Sequence, residues 1–153
     1  MRKPKQPPKR LRSDAIALVE GCAGLGSRLV ARRVTQMLER EIACTGMTLA
    51  QLGLMAQIAA ASDDTIGALA TKTGLDQSTL SRNLRGLEAE GLVEIAIVES
   101  DLRRRAVWLT ESGARRLETA IPVWRAASEK LSHLISTNLV FQLARETDVI
   151  VSP

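Results

Sequence analysis

Gln77, Ser78, Thr79, Ser81, Arg82 and Arg85 bring amide, hydroxyl and guanidinium groups together in one short stretch. Such groups hydrogen-bond base edges and phosphate oxygens, so the chemistry on offer is recognition of a nucleic acid. At about 100° per residue, Gln77, Ser78, Ser81, Arg82 and Arg85 fall on one face of a helix. Leu80, Leu84 and Leu87 gather on another, with face centres roughly 130° apart. The leucines need a core, and the polar face is left for a partner or for water. A second constellation follows at Asp101-Leu102-Arg103-Arg104-Arg105. Adjacent guanidinium groups repel one another unless an anion or carboxylate lies near, and arginine suits phosphate contacts and a narrow minor groove. Arg103 is the expected groove-inserting side chain, with Asp101 holding an arginine in position.

The surrounding residues predict the elements that would carry these groups. Thr65 or Asp64 caps a first helix, TIGALATKT, in which Ile66, Leu69 and Ala70 share a face. Gly74 stops it, Asp76 caps the polar helix, and Leu75 and Leu80 are spaced as a hydrophobic staple. Gly91 ends the second helix, after which Val93, Ile95 and Ile97 alternate as in a half-buried strand. An arginine-rich turn then leads into a second strand, Ala106 to Leu109. A polar helix beside a basic hairpin is the outline of a winged helix-turn-helix.

At this point the residues resemble a known family. The run from Leu49 to Leu117 is similar to the MarR family of bacterial transcription regulators. The matching pieces are Thr48-Leu-Ala-Gln51, Leu69-Ala70, Asp76-Gln-Ser-Thr-Leu-Ser-Arg-Asn-Leu84, Leu87-Glu88 and Gly91-Leu92-Val93. The last is Asp101-x-Arg103-x-Arg105-x-Val107-x-Leu109-Thr110, closing in a Thr-Glu-x-Gly helix start. The resemblance implies a mainly α fold with a small β-hairpin wing: a winged helix-turn-helix with N- and C-terminal dimerisation helices. It implies a homodimer on a pseudo-palindromic stretch of double-stranded DNA, often with a small-ligand pocket where lobe and dimer helices meet. Residues 1–12 are then a disordered basic arm and 13–153 a single domain. Within that domain 48–110 form the winged helix-turn-helix, and 13–45 and 111–150 the dimerisation helices.

Charge supports a nucleic-acid partner only by its placement. The net charge is +4, but Arg2, Lys3, Lys5, Lys9, Arg10 and Arg12 occur with no acid among them, and without them it would be −2. With Pro4, Pro7 and Pro8 this start reads as a tail that either solubilises the chain or touches phosphates. Hydrophobic residues at 45% and charged ones at 25% describe a globular chain. No stretch approaches the ~18 apolar residues of a membrane span, and the basic start lacks a signal peptide's apolar run. The expected location is cytoplasmic.

The flanks read as helices. From Ser13 to about Thr45, Leu18, Cys22, Leu25, Leu29, Val34, Met37, Leu38 and Ile42 keep near-helical spacing, although Gly21, Gly24 and Gly26 weaken it. Thr48 and Gln51 are spaced as a capping box for a helix reaching about Ala61. Beyond Thr110, apolar residues recur to Val149, with Pro122 expected to start or kink a helix and Asn138 to mark a break. So many apolar residues on terminal helices call for a partner chain.

Catalysis finds little footing. His133 is the sole histidine and sits in an apolar helix without ligand-spaced companions. No phosphate loop or nucleophile elbow occurs, Gly24-Leu-Gly26 lacks the strand and third glycine of a dinucleotide fingerprint, and Asp63-Asp64 suits a helix N-terminus. No enzyme activity, cofactor or metal is expected. Aromatic residues at 2%, with no Tyr, argue against single-strand stacking. Trp108 faces away from Val107 and Leu109 and is expected to pack beneath the dimer helices. Cys22 and Cys44 would lie about 33 Å apart on one continuous helix, too far for a disulfide, and are expected to be reduced, partly buried thiols. Some members of the resembling family sense peroxide through a first-helix cysteine, which keeps Cys22 open as a redox centre. The other effector reading is a small anionic or phenolic compound bound near Cys22, Arg28, Arg32 and Trp124. A winged helix used for protein–protein contact is the competing reading from another class.

Overall fold

A computed structural model of the chain describes residues 9–62, 65–98 and 101–151; side chains are described for all of these except 9, 98, 101–104 and 151. The chain divides into two compact units, 1–36 and 37–153.

The first unit holds α1 (Lys9–Gly21) and most of α2 (Ala23–Ile42). Two expectations are corrected here. Helix begins at Lys9, inside the stretch expected to be a disordered arm. The single helix expected from Ser13 to Thr45 is interrupted at Cys22 and finishes as a 3₁₀ turn, Ala43–Thr45. Gly21, Gly24 and Gly26 flank the interruption, where backbone freedom makes a local departure cheap. The Cys22 N–H still donates to the Leu18 carbonyl, while its own carbonyl accepts from the Leu25 and Gly26 N–H groups. No described residue from 10 to 36 is buried. Both thiols are free and exposed, so the expectation of partial burial also fails.

The second unit contains the core. After Gly46, left-handed at φ 66°, come α3 (Leu49–Ala59), α4 (Ile66–Thr73) and α5 (Gln77–Ala89). Thr48 and Gln51 form the expected capping box: Thr48 Oγ1 accepts from the Gln51 N–H at 3.1 Å and Gln51 Oε1 from the Thr48 N–H at 3.0 Å. Strands β1 (Val93–Val98) and β2 (Asp101–Leu109) form an antiparallel hairpin, and an isolated bridge between Thr65 and Ala106 ties it to the start of α4. Helix α3 packs on α4, α6 (Glu111–Leu134) and β2, while α5 packs on β1. Ile42, Met55, Leu80, Leu84 and Leu87 are completely buried where these elements meet.

The C-terminal part departs from expectation once, in the place of its break. Helix α6 runs through Pro122 without stopping. A proline removes one backbone donor, and Leu117, Ala120 and Ala127 anchor the helix on both sides of it. The break comes at Ile135–Ser136, upstream of Asn138, and is followed by α7 (Thr137–Glu146) and α8 (Asp148–Val151).

Helix α6 is locked to the hairpin base by a short set of bonds. The Thr110 hydroxyl donates to the Gly91 carbonyl at 2.7 Å and accepts from the Gly113 N–H at 3.0 Å. The Thr110 N–H donates to the Leu92 carbonyl at 3.1 Å. A Cβ on Gly113 would lie 1.9 Å from that same carbonyl oxygen, which explains the glycine of the Thr-Glu-x-Gly pattern.

Candidate nucleic-acid interface

Helix α5 is set by its cap and its leucines. Asp76, in extended geometry, accepts from the Thr79 N–H at 2.9 Å, and the Ser78 and Thr79 hydroxyls donate to its carboxylate at 2.6 and 2.7 Å. These bonds, the Ser78 hydroxyl foremost, hold the Asp76 carboxyl well below the usual carboxylate range. Leu80, Leu84 and Leu87 are 0%, 1% and 0% exposed, as their spacing predicted. The opposite face is therefore turned outward.

The candidate residues of that face divide into two groups. Ser78 and Thr79 direct their hydroxyl protons to the cap, leaving oxygen lone pairs for other donors. Arg82 lies back over the same turn: Nε donates to the Ser78 carbonyl at 3.3 Å, with a weaker contact from Nη2 to Thr79 Oγ1 at 3.5 Å. A guanidinium has five N–H donors, so three remain for an incoming acceptor. Gln77, Ser81 and Arg85 form the second group. They line a cleft of about 820 Å³ with Thr65, Thr71 and Ile66 of the α4 segment and Ile95, Ile97 and Arg105 of the hairpin.

The hairpin corrects one expectation. Arg103, Arg104 and Arg105 belong to β2 and not to a turn, because pairing with β1 resumes at Asp101. The ladder steps from Ile97–Arg105 directly to Val98–Asp101, leaving Leu102, Arg103 and Arg104 as an irregularity in β2. Such bulges twist a strand and re-aim its side chains. Arg105 is exposed and shares the cleft with Arg85. The side chains of Asp101, Arg103 and Arg104 lie outside the described residues, as do Asp63 and Asp64. Trp108 does face away from buried Val107.

Other residues divide between the units. Cys22, Arg28 and Arg32 are exposed in the first unit, and Trp124 is exposed on α6 in the second. Sequence reasoning missed Glu88 and Thr71, which line the α4–α5–hairpin cleft. Glu88 lies one turn after Arg85 and Leu84, a spacing that marks the same helix side. It also missed Arg116, whose Nη2 donates to the Gly46 carbonyl at 3.0 Å across a smaller cleft bordered by Cys44. His133 is an exposed residue in the last turn of α6.

A family model for the MarR family matches residues 45–105, the span holding α3, α4, α5 and most of the hairpin. The transcriptional regulator HosA of Escherichia coli is 33% identical over 93 residues, covering 52% of this chain and 69% of the relative. The chain belongs to the MarR family. Its fold agrees with solved MarR-family regulators. The M. tuberculosis regulator MosR, in a structure with DNA, is 27% identical, with a TM-score of 0.76 over 84% of this chain and 96% of that one. A mutant of E. coli MarR, complexed with operator DNA, shares the fold at 22% identity and TM-score 0.74, over 88% and 99% of the two chains. In this MarR-family chain α4 and α5 are the helix-turn-helix pair and β1–β2 the wing.

Proposed function

We propose that this MarR-family regulator binds double-stranded DNA as a homodimer, with α5 in the major groove and the hairpin beside it. The observation that carries this reading is α5 itself. Its leucines are wholly buried, so its capped, polar N-terminal half faces outward beside the exposed Arg105. Recognition helices enter the major groove by their N-terminal residues, where Gln77, Ser81, Arg82 and Arg85 supply the donors and acceptors that distinguish base pairs. MosR, the relative of 27% identity solved with DNA, supports the same use. For the wing, Arg103 enters the minor groove and Asp101 positions an arginine. The partner is a second copy, because Leu134, Leu139 and Phe141 remain more than half exposed on the C-terminal helices. Two α5 helices related by a two-fold axis then read half-sites about 10–10.5 base pairs apart or a multiple of that.

Fluorescence anisotropy on duplexes from the protein's own promoter and on random duplexes tests this. Arg82→Ala should weaken operator binding by about 1–3 kcal/mol if the guanidinium reads guanine, and random DNA much less. Asp101→Ala should weaken binding although it removes a negative charge. Wild-type protein that fails to prefer any promoter duplex would instead support a winged helix that docks on protein.

Regulation is proposed to be by a small anionic or phenolic compound, which would alter the separation of the two α5 helices. Such a ligand shifts the equilibrium only by its differential affinity for the two arrangements, typically about 1–3 kcal/mol. A second reading has an observation of its own: Cys22 is exposed at the interruption between α1 and α2, accessible to oxidants. Peroxide that releases DNA from wild type but not from Cys22→Ser would establish the redox mechanism. Release of both proteins by an aromatic acid would establish the ligand.

A further inference from the structure

The hydroxyl protons of Ser78 and Thr79 are already spent within α5. Ser78 donates to Asp76 Oδ1 at 2.6 Å and Thr79 to Asp76 Oδ2 at 2.7 Å. Chemistry fixes the direction of both bonds, because an ionised carboxylate only accepts. Asp76 is ionised at neutral pH, since the Ser78 hydroxyl, the Thr79 N–H and the Thr79 hydroxyl hold its carboxyl well below the usual range. Charge-assisted O–H···O⁻ bonds are short, about 2.5–2.7 Å, and roughly twice as strong as neutral ones. Both protons are committed.

A hydroxyl has one proton and two lone pairs, so each oxygen is left as an acceptor. Ser78 is exposed, and among the described residues nothing donates to its Oγ. Thr79 is half-buried, and its Oγ1 takes the long bond from Arg82 Nη2 at 3.5 Å, which leaves one lone pair. Phosphate oxygens are acceptors as well, so neither hydroxyl has anything to offer them, and the negative Asp76 lies directly behind. In the major groove, guanine N7 and O6 and thymine O4 also only accept. The donors there are the exocyclic amines, adenine N6 and cytosine N4. Serine and threonine ordinarily serve either kind of base edge. A committed proton leaves one kind.

We infer that Ser78, with Thr79 beside it, selects a base carrying an exocyclic amine, adenine or cytosine, on the strand that it faces. Asp76 sets this choice without touching DNA, as a positioning residue for the two hydroxyls. This rests on the DNA-binding reading above and adds no new site to it; it names the chemistry that the first turn of α5 accepts. Arg82, whose remaining N–H groups are donors, takes the opposite class of edge, guanine N7 and O6.

The test uses the full chain and a library of randomised duplexes, from which bound DNA is separated and sequenced. Wild type should restrict a position in each half-site to adenine or cytosine on one strand. S78A/T79V removes both oxygens and keeps the Thr79 N–H bond to Asp76; the restriction should vanish while a guanine preference due to Arg82 persists. Asp76→Asn retains Oδ1 for the cap and replaces Oδ2 by an amide that donates to Thr79. The Thr79 proton is then released, and guanine or thymine should be admitted at the same position. On the selected duplex, purine in place of adenine, or 2-pyrimidinone in place of cytosine, deletes the amine. Anisotropy should show a loss of about 2–10-fold for wild type, the range of one ordinary hydrogen bond, and none for S78A/T79V. A loss that S78A/T79V suffers equally overturns the inference, because another group would then read the amine. So does a uniform fall in its affinity for selected and random duplexes with base preferences unchanged, which marks phosphate contacts. Ser78→Ala alone, at an exposed position, carries the same comparison if the double variant fails to fold. Wild type that enriches no sequence defeats the DNA-binding reading itself. Wild type that enriches a sequence without an adenine-or-cytosine position defeats this inference alone.

Discussion

Helix α5 hides Leu80, Leu84 and Leu87 almost completely, whereas α7 leaves Leu139, Val140, Phe141 and Leu143 between 36% and 65% exposed. Both helices have an apolar side and a polar side. One finds its cover within its own chain, against β1, and the other has no buried residue at all. Amphipathic spacing states that a face needs cover; it does not state which molecule provides it. The two helices also differ at their N-termini. Asp76 closes α5 with three donors, while Ser136 makes no side-chain cap on α7. Helix α5 is fixed by local and tertiary bonds together, and the apolar side of α7 has no cover among the described residues.

Mutations on the two faces should sharpen this contrast. Leu84→Ala is expected to cost about 2–5 kcal/mol of unfolding free energy in chemical denaturation, independent of protein concentration. Phe141→Ala should leave the fold of the lobe intact and instead shift dimer dissociation, seen on dilution by analytical ultracentrifugation. A concentration-independent loss of equal size for Phe141→Ala would erase the distinction between the two helices.

Glycines give the next largest effect, with opposite signs. Gly113→Ala drives a Cβ against the Leu92 backbone carbonyl and should destabilise by about 1–3 kcal/mol. Gly86, inside α5, has no atom within 4 Å of a built Cβ, so Gly86→Ala should stabilise by up to ~1 kcal/mol. Thermal melts of the two variants moving in the same direction would contradict the packing described for the lobe.

The caps give the smallest effect. Because Asp76 has a lowered folded-state value, its contribution is complete above the ordinary aspartate value of about 3.9 and fades as pH falls through the lower folded one. Asp76→Asn should remove this part of the acid dependence, read as the difference in melting temperature between neutral and acid buffer. Ser136→Ala should change stability by less than about 0.5 kcal/mol at any pH, since there is no cap to lose.

What was legible in the chain was local. The capping box at Thr48 and Gln51, the cap at Asp76 and the leucine spacing of α5 each depend on residues within one or two turns, and each is found as read. The rest depends on sums over distant parts. The break before α7 falls at Ile135–Ser136 and not at Asn138, which the residue types around it do not mark. Arg103 to Arg105 look like a turn by composition, but pairing with Val98 and Ile97 makes them strand. The helix breaks at Cys22, between Gly21 and Gly24, where the apolar spacing alone had predicted continuity. Of the candidate interface, the residue types of α5 could be read from sequence. The lining of the cleft by Gln77, Ser81 and Arg85 could not, because it depends on α4 and the hairpin, which are distant in the chain.

The Thr110 joint has a mechanical meaning. Helix α6 is 24 residues long, roughly 36 Å at 1.5 Å per residue. At its near end there is no slack linker: one threonine bonds the turn after α5, and the helix's glycine sits against the same backbone. The long helix and the hairpin base thus meet at a bonded joint with no flexible connection between them, and Thr110 is its weld.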